Sequence, residues 1–300
     1  MPPSVSTRSA PPRTMPRKTP DLVSVADLEG VPETLLMTLY NRAVESRRPN
    51  PILVDRKAEK MVARIDYDFT KFGEGRITHP IRASVMDEWL QRFLDRYPNG
   101  TVVNLGVGLG TQSARLDNGT ATWIDLDVPE VIALRRRFFE EGTRHRMLAA
   151  SAFDAAWMED LDAEAPTFFV AAGLLMFFEP EEVRQLFVRL ADRFRTAAFA
   201  FDVIPERLSE QALAGEAEFG GFTMPPMPWH LDYDRIYELE TWHPRLEVVA
   251  RRDYTEGFRM RWRLLGLLSL IEPLRDLYMG TLVHVRLRDT DQAPSSASQS

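Results

Sequence analysis

The stretch from Thr101 to Asp127, TVVNLGVGLGTQSARLDNGTATWIDLD, constrains this chain more than any other. Thr101, Val102, Val103, Asn104 and Leu105 form a short apolar run, the pattern of a buried strand. The run breaks into Gly106, Gly108 and Gly110, and a second strand-like run, Ala121 to Ile124, ends in Asp125 and Asp127. Glycine lets a backbone approach a ligand closely and take positive φ values. A carboxylate at the tip of the following strand can accept both hydroxyls of a ribose. Together these features predict a nucleoside-cofactor site, with Asp125 and Asp127 competing for the acidic role.

The flanking sequence predicts an α/β fold. Leu35, Leu36, Leu39, Tyr40, Ala43 and Val44 recur at helical spacing through residues 33–48, and a second helix is expected over Asp55 to Ile65. A third spans about Ile81 to Tyr97, with Val85, Met86, Trp89, Leu90, Phe93 and Leu94 inward, and Pro98-Asn99-Gly100 ends it. Three helices thus precede the first strand as an N-terminal cap. After Asp127, Pro129 and Glu130 open a helix that closes on Arg135-Arg136-Arg137, which reads as a solvated, dipole-compensating end rather than a nucleic-acid patch. Strands are expected at Arg146 to Ala150, Thr167 to Ala172 and Thr196 to Val203, with a helix starting at Pro180 whose Val183, Leu186, Phe187 and Leu190 make an apolar stripe. Strands separated by helices imply parallel βαβ units. Residues 204–243 depart from this rhythm, and Gly220 to His230 has no regular period, as in a surface loop or a lid. Arg245 to Arg251 and Thr281 to Leu287 are strand-like again.

Composition narrows the function. Net charge of −7 and a pI of about 5.4 give no general attraction for nucleic acid. With no cysteine, disulfides, thiolate nucleophiles and Cys-type zinc sites are excluded, and a reducing, cytoplasmic setting is expected. No run reaches the ~18 apolar residues of a membrane span. The richest, Leu264 to Ile271, is expected to be a buried helix face. Residues 1–20, with six prolines, four basic residues and no acid, and the polar residues 289–300 are expected to be disordered tails around one domain at 21–288. That domain divides into the cap at 21–98, the core, and the insertion at 204–243.

A glycine turn followed by an acid about 20 residues on suits either a dinucleotide or S-adenosylmethionine. The dinucleotide fingerprint G-x-G-x-x-G meets Thr111 in place of its third glycine. The turn signal Asp117-Asn118-Gly119 leaves little room for the long helix that would receive a pyrophosphate. NLGVGLGTQSARLDNG, WIDLDVPE, AAGLLMFFEPEEV and the N-terminal VPETLLMTLYNRAVESRRP resemble the leucine carboxyl methyltransferase family, most closely its bacterial polyketide O-methyltransferase branch, over about residues 28–287. The resemblance implies a class I methyltransferase, Rossmann-like fold: a mostly parallel seven-stranded sheet with one reversed strand. It also implies S-adenosylmethionine as methyl donor and a carboxyl or hydroxyl of a small, polyketide-like metabolite as acceptor.

By the same resemblance, Arg82 holds the methionine carboxylate, which suits a two-pronged guanidinium. Gly106 and Gly108 line the methionine and ribose, and Asp127 takes the ribose hydroxyls with Asp125 as rival. Ser151 and Ala152 flank the adenine, while Ala172 and Gly173 face the methionine end. The chain departs from the family pattern at Ala172, where an acid or amide is usual, at Phe177, where tyrosine is usual, and at Gly110. Those departures favour the competing expectation of a methyltransferase-fold protein that binds donor or substrate without transfer. Methionines and aromatics within Phe219 to Trp229 are expected to wall the acceptor pocket, which makes Phe222, Met224 and Trp229 acceptor candidates, and the resemblance adds Phe177, where the usual tyrosine would contact substrate. A phenol acceptor calls for a base and a carboxylate does not. His79, His230 and His243 are the candidate bases, each in competition with an ordinary surface or capping role, and His145 and His284 read as structural. His230, Asp232 and Asp234 supply too few ligands for a metal, and none is expected.

Overall fold

Thr101–Leu105 (β1) takes the central place that its apolar run predicts, paired on both edges in a seven-stranded sheet. The computed structural model describes residues 22–25, 33–219, 222–262, 270 and 280–288. The other strands are β2 (Thr122–Asp127), β3 (His145–Ala149), β4 (Thr167–Ala171), β5 (Ala197–Val203), β6 (Leu246–Asp253) and β7 (Thr281–Leu287). Their order across the sheet is β3-β2-β1-β4-β5-β7-β6. β1 to β5 are mutually parallel, and β7 is antiparallel to both of its neighbours, which makes it the one reversed strand. The direction of winding changes between β1 and β4, so the crevice outside their carboxyl ends is where an open parallel sheet receives a ligand.

The helices are α1 (Glu33–Ser46), α2 (Arg56–Val62), α3 (Thr78–Arg96), α4 (Gln112–Leu116), α5 (Pro129–Arg135), α6 (Ala156–Glu159), α7 (Pro180–Arg193) and α8 (Glu206–Leu213). A four-residue turn of helix follows at Arg259–Trp262. Side-chain alternation along the strands feeds two cores. Phe168 and Ala200 face α3, packing with Val85, Met86, Trp89 and Phe93. Phe169, Phe199 and Phe201 face α7, packing with Val183, Leu186, Phe187 and Leu190. Each fully buried side chain of this size contributes about 1.5–3 kcal/mol. α7 is fixed in place by Pro180 in its first turn and by a reciprocal Glu179–Glu182 capping box.

The cap contains the three expected helices. It adds a parallel pairing of Val23–Ser24 with Ile65–Asp66, and an aromatic cluster of Tyr40, Tyr67, Phe69 and Phe72. Asp55 caps α2 rather than beginning it. The irregular stretch around His230 is anchored by Met227, Trp229 and Leu231, all buried, and α8 gives the insertion more regularity than its sequence suggests. Arg135 corrects the reading of the arginine run. It is wholly buried rather than solvated, whereas Arg136 and Arg137 are exposed. The expected tails and nearly all of Leu264 to Ile271 lie outside the described residues.

Candidate active site

The β1–α4 connection turns sharply because Gly106 and Gly108 adopt φ of 60° and 52°, conformations that side chains disfavour. A Cβ on Gly106 would stand 2.6 Å from Leu174, so the turn is packed against the loop that follows β4. α4 is only five residues long. That confirms the room limit set by the Asp117-Asn118-Gly119 turn and removes the long helix a dinucleotide pyrophosphate needs.

The two acids of β2 have separate tasks. Asp127 Oδ2 accepts from Gly108 N at 2.7 Å and Oδ1 from Val128 N at 2.8 Å, at the rim of a cleft of about 400 Å3. Burial raises its pKa above the usual carboxylate value, offset in part by those two N–H groups. Asp125 is fully buried away from the cleft. It accepts from Arg135 Nε and Nη2 at 3.0 and 2.5 Å, from Asn104 Nδ2 at 2.8 Å, and lies 2.5 Å from His145 Nε2. Burial alone would raise its pKa, but the Arg135 charge and the His145 and Asn104 bonds outweigh it and hold Asp125 at about 2. Arg135 Nη1 also donates to Gly108 O and Gly110 O, at 3.2 and 2.6 Å. The Asp125–Arg135 pair therefore props the glycine turn from beneath, and Arg135 is a site residue that the sequence reading missed.

Arg82 enters the cleft from α3. Its Nη1 donates to Asp202 Oδ2 at 2.9 Å, Tyr254 donates to the same oxygen at 3.0 Å, and Gly173 N donates to Asp202 Oδ1 at 2.6 Å. Gly173 has φ 71°, and a Cβ there would lie 2.5 Å from Arg82 Nη1. Both the turn and the guanidinium therefore require glycine at this position. Burial works against the Arg82 charge, but Asp202 overcomes it and raises the pKa. Burial and the Asp202 charge push the Tyr254 phenol well above its ordinary value. Asp202 was legible in principle: it is the one acid of an apolar strand, AAFAFDV, one residue from its end, much as Asp127 closes β2. Tyr254 carries no such signal.

The cap closes the cleft's other side. Leu35 lies over Gly108, and Arg42 Nη2 donates to Leu109 O at 2.9 Å. Buried Asp55 ties the cap to the glycine turn by accepting from Arg42 Nε at 3.1 Å, Thr111 Oγ1 at 2.5 Å and Arg115 Nη1 at 3.2 Å. Gln112 donates from Nε2 to Asp87, while its Oε1 is buried with no partner, at the cleft wall.

His79, in the first turn of α3, also lines the cleft, with its Nδ1 2.6 Å from Asn41 Nδ2. Asn41 Oδ1 accepts from Arg76 N at 3.0 Å. A backbone N–H only donates, so that bond fixes the amide with Nδ2 toward the ring. Nδ1 of His79 is therefore an acceptor, and the neutral ring carries its proton on Nε2. Burial, with the Arg82, Arg42 and Arg76 charges, pushes its pKa well below the ordinary imidazole value. A second proton on Nδ1 would also meet the Asn41 N–H head-on.

Of the other sequence candidates, Gly106, Gly108, Ala172, Gly173, Phe177 and Met224 line the cleft. Met37, Met176, Ile204, Leu208 and Met227 join the apolar wall without having been singled out in the sequence. Ser151 is exposed, Ala152 is buried in the α7-side core, and the structure brings neither into the cleft. Trp229 is a core residue packed between Phe201 and Trp242, not a cleft wall. The Phe222 side chain lies outside the described residues. His230 sits 3.7 Å from Glu206, and His243 pairs with Asp192 at 3.2 Å, both away from the cleft. A Cβ on Gly110 would lie 2.8 Å from Val107 O, which accounts for glycine at that departure. Among the described residues no group of acids and histidines could hold a metal, and no helix is long and apolar enough to cross a membrane.

The model of the leucine carboxyl methyltransferase family matches residues 35–191. Tetracenomycin polyketide synthesis O-methyltransferase TcmP of Streptomyces glaucescens is 38% identical over 181 residues, which cover 59% of this chain and 67% of that one. The S-adenosyl-L-methionine-dependent methyltransferase dpfgK of Gibberella zeae is 32% identical over 187 residues, covering 56% and 63%. A solved structure of a putative methyltransferase from Thermobifida fusca superposes with a TM-score of 0.51 at 13% identity, covering 87% of this chain and 99% of that one, and so shares the fold. Fold and family agree: the chain belongs to the leucine carboxyl methyltransferase family and is an S-adenosylmethionine-dependent methyltransferase.

Proposed function

We propose that the enzyme methylates a carboxyl oxygen of an apolar, ring-containing metabolite of polyketide type. One observation carries the choice of carboxyl over hydroxyl: among the described residues, no cleft side chain is available as a general base. Asp127 is engaged by two backbone N–H groups, and Asp202 by Arg82, Tyr254 and Gly173. Tyr254 stays a phenol, and the one basic nitrogen of His79 is occupied by Asn41. His230 and His243 lie elsewhere. A phenol, with a pKa near 10, needs its proton removed, whereas a carboxylate is a nucleophile as it stands.

The cleft residues fit the donor. Both Asp127 oxygens keep lone pairs for the ribose hydroxyls after accepting one backbone bond each. Arg82 takes the methionine carboxylate, Gly106, Gly108 and Gly173 allow close approach, and the orphaned Gln112 Oε1 accepts a donor N–H or O–H. The bound donor supplies an electrophilic methyl on a sulfonium. The chain's own contribution is alignment of the acceptor oxygen and exclusion of water. Met37, Met176, Phe177, Leu208, Met224 and Met227 make an adaptable apolar wall suited to flat rings. The Streptomyces relative, by name a polyketide-synthesis O-methyltransferase, supports the same substrate class. The insertion at 204–243 belongs to the acceptor side in this reading.

Incubation with S-adenosylmethionine and either 1-naphthoic acid or 1-naphthol, followed by mass spectrometry, tests the proposal. A base-labile methyl ester of the acid is the expected product. Methyl ether formed from the naphthol, with the acid untouched, overturns the carboxyl assignment.

A further inference from the structure

We propose that His79 is the acceptor-selecting residue: its Nε2–H donates to the acceptor carboxylate and does not act as a base. The inference rests on the carboxyl reading above and deepens it. Three observations support it. The relay from Arg76 N–H to Asn41 Oδ1, and from Asn41 Nδ2–H to His79 Nδ1, leaves Nε2 as the protonated nitrogen. Among the described residues the ring's one hydrogen bond is at Nδ1, and the half-buried ring lines the cleft wall, which leaves the Nε2–H for an incoming group. The positive charges that act on the ring belong to three different elements: Arg82 on α3, Arg42 on α1 and Arg76 on the loop before α3. Asp202 and Asp55 pair with Arg82 and Arg42, so the charges chiefly keep the ring neutral, and its N–H donor then suits an acceptor that brings its own negative charge.

Position separates this site from the donor's own carboxylate. His79 and Arg82 are three residues apart on one helix face, so His79 stands about 4.5 Å further along the axis. Arg82 meets Gly173 and Asp202 at the sheet, whereas His79 meets Asn41 of the cap. The methionine carboxylate belongs with Arg82, which leaves His79 for a second oxygen anion on the cap side. A neutral N–H that cannot take up a proton discriminates in a way a base would not. It binds an acceptor that arrives ionised and gives no help to one that must first lose a proton.

The test uses the full-length enzyme labelled with 15N-histidine, saturated with S-adenosylhomocysteine, and probed with 1-naphthoate and 1-naphthol. Long-range nitrogen–proton correlation identifies the protonated nitrogen, with His79→Gln assigning the signal among the five histidines. The expected result is an Nε2-protonated ring whose N–H resonance moves with naphthoate and stays put with naphthol. Asn41→Asp keeps the acceptor for Arg76 N but draws the ring proton to Nδ1. It should raise KM for naphthoate by about tenfold or more while S-adenosylhomocysteine affinity stays within about twofold. An Nδ1-protonated ring in the unsubstituted enzyme overturns the proposal, as does a shift complete on adding S-adenosylhomocysteine alone. Naphthoate methylated with unchanged KM in both variants sinks the His79 role and leaves the carboxyl reading standing. Methylation of naphthol alone sinks the carboxyl reading itself.

Discussion

Replacing Arg135 with methionine keeps a long stem and removes the charge beneath the glycine turn. Arg135 and Asp125 are both wholly buried, joined through two bonds to one carboxylate oxygen, and the guanidinium lies 3.9 Å over the Phe139 ring. Removing one partner of such a pair costs about 3–5 kcal/mol, because the other charge is left without compensation. Here Asn104 and His145 still hold Asp125, which places the loss near the low end of that range. Gly108 O and Gly110 O lose their shared donor as well, at about 1–3 kcal/mol for each acceptor that water does not reach. Taking the low end of each range, the expected total is about 5 kcal/mol, a large share of the ~5–15 kcal/mol that a folded domain has. Urea unfolding followed by tryptophan fluorescence reads it directly. Adding Asp125→Asn to Arg135→Met removes the stranded charge and should recover about 1–2 kcal/mol. S-adenosylhomocysteine affinity should fall in Arg135→Met, since the glycine turn proposed to meet the donor has lost its prop. A loss below about 1 kcal/mol, or a double variant as unstable as the two single losses added together, would refute the idea that the pair supports the turn.

Three further outcomes follow from the same geometry. Asp127→Ala should weaken S-adenosylhomocysteine binding by about 1.5–3 kcal/mol in calorimetric titration, while Asp125→Ala acts first on urea stability; the reverse pattern would exchange their roles. Gly173→Ala forces a side chain into positive φ and against Arg82, so donor affinity should drop together with about 1–2 kcal/mol of stability, and an unchanged titration would count against the Gly173–Arg82–Asp202 arrangement. His284, stacked on Trp89, has its pKa lowered from 6.5 to about 4 by burial and by the Arg286 and Arg92 charges. Its neutral form therefore favours the fold fully above pH 6.5, and roughly 3 kcal/mol of stability should be lost as pH falls from 6.5 toward 4. His284→Gln should flatten that part of the stability profile; an unaltered slope would assign the acid sensitivity to other groups.

How far the sequence discloses the molecule depends on whether a signal is local. Apolar runs bounded by glycine and proline placed β1, β2, β4, β5 and β7, and the Val183–Leu190 stripe placed α7, because burial on a sheet imposes those periods wherever the chain goes next. Arg82 and Gly173 were named through the family resemblance, but their mutual contact was not legible. It crosses from α3 to the loop after β4, and nothing near either residue records the other. Arg135 was misread for the same reason. A basic residue at a helix end usually finds solvent, and only the fold reveals that this one turns under the sheet to Asp125. Trp229 shows the opposite error, since an aromatic in an irregular segment can as well anchor the segment as face a ligand. His79 required both more chain and more chemistry, since its tautomer is set by an amide on α1 and a backbone N–H on the loop before α3.

The two acids of β2 show where the boundary lies. Residues two apart in a strand share a face, so alternation cannot separate Asp125 from Asp127. Register can. Asp125 sits opposite Asn104 on β1 and Met147 on β3, flanked by strand on both sides. β1 ends at Leu105, opposite Leu126, so Asp127 has a strand neighbour, Ala149, on one side only. On its open side stands Gly108 N, where the chain has already left the sheet. A carboxylate flanked on both edges has no access to a ligand and is held by a buried counter-charge, whereas one that outlasts its neighbour by a single residue meets the cleft. The glycine that ends β1 thereby decides which acid reaches the cleft, and the count from Thr101 to Gly106 against Thr122 to Asp127 contains that decision once the two strands are paired.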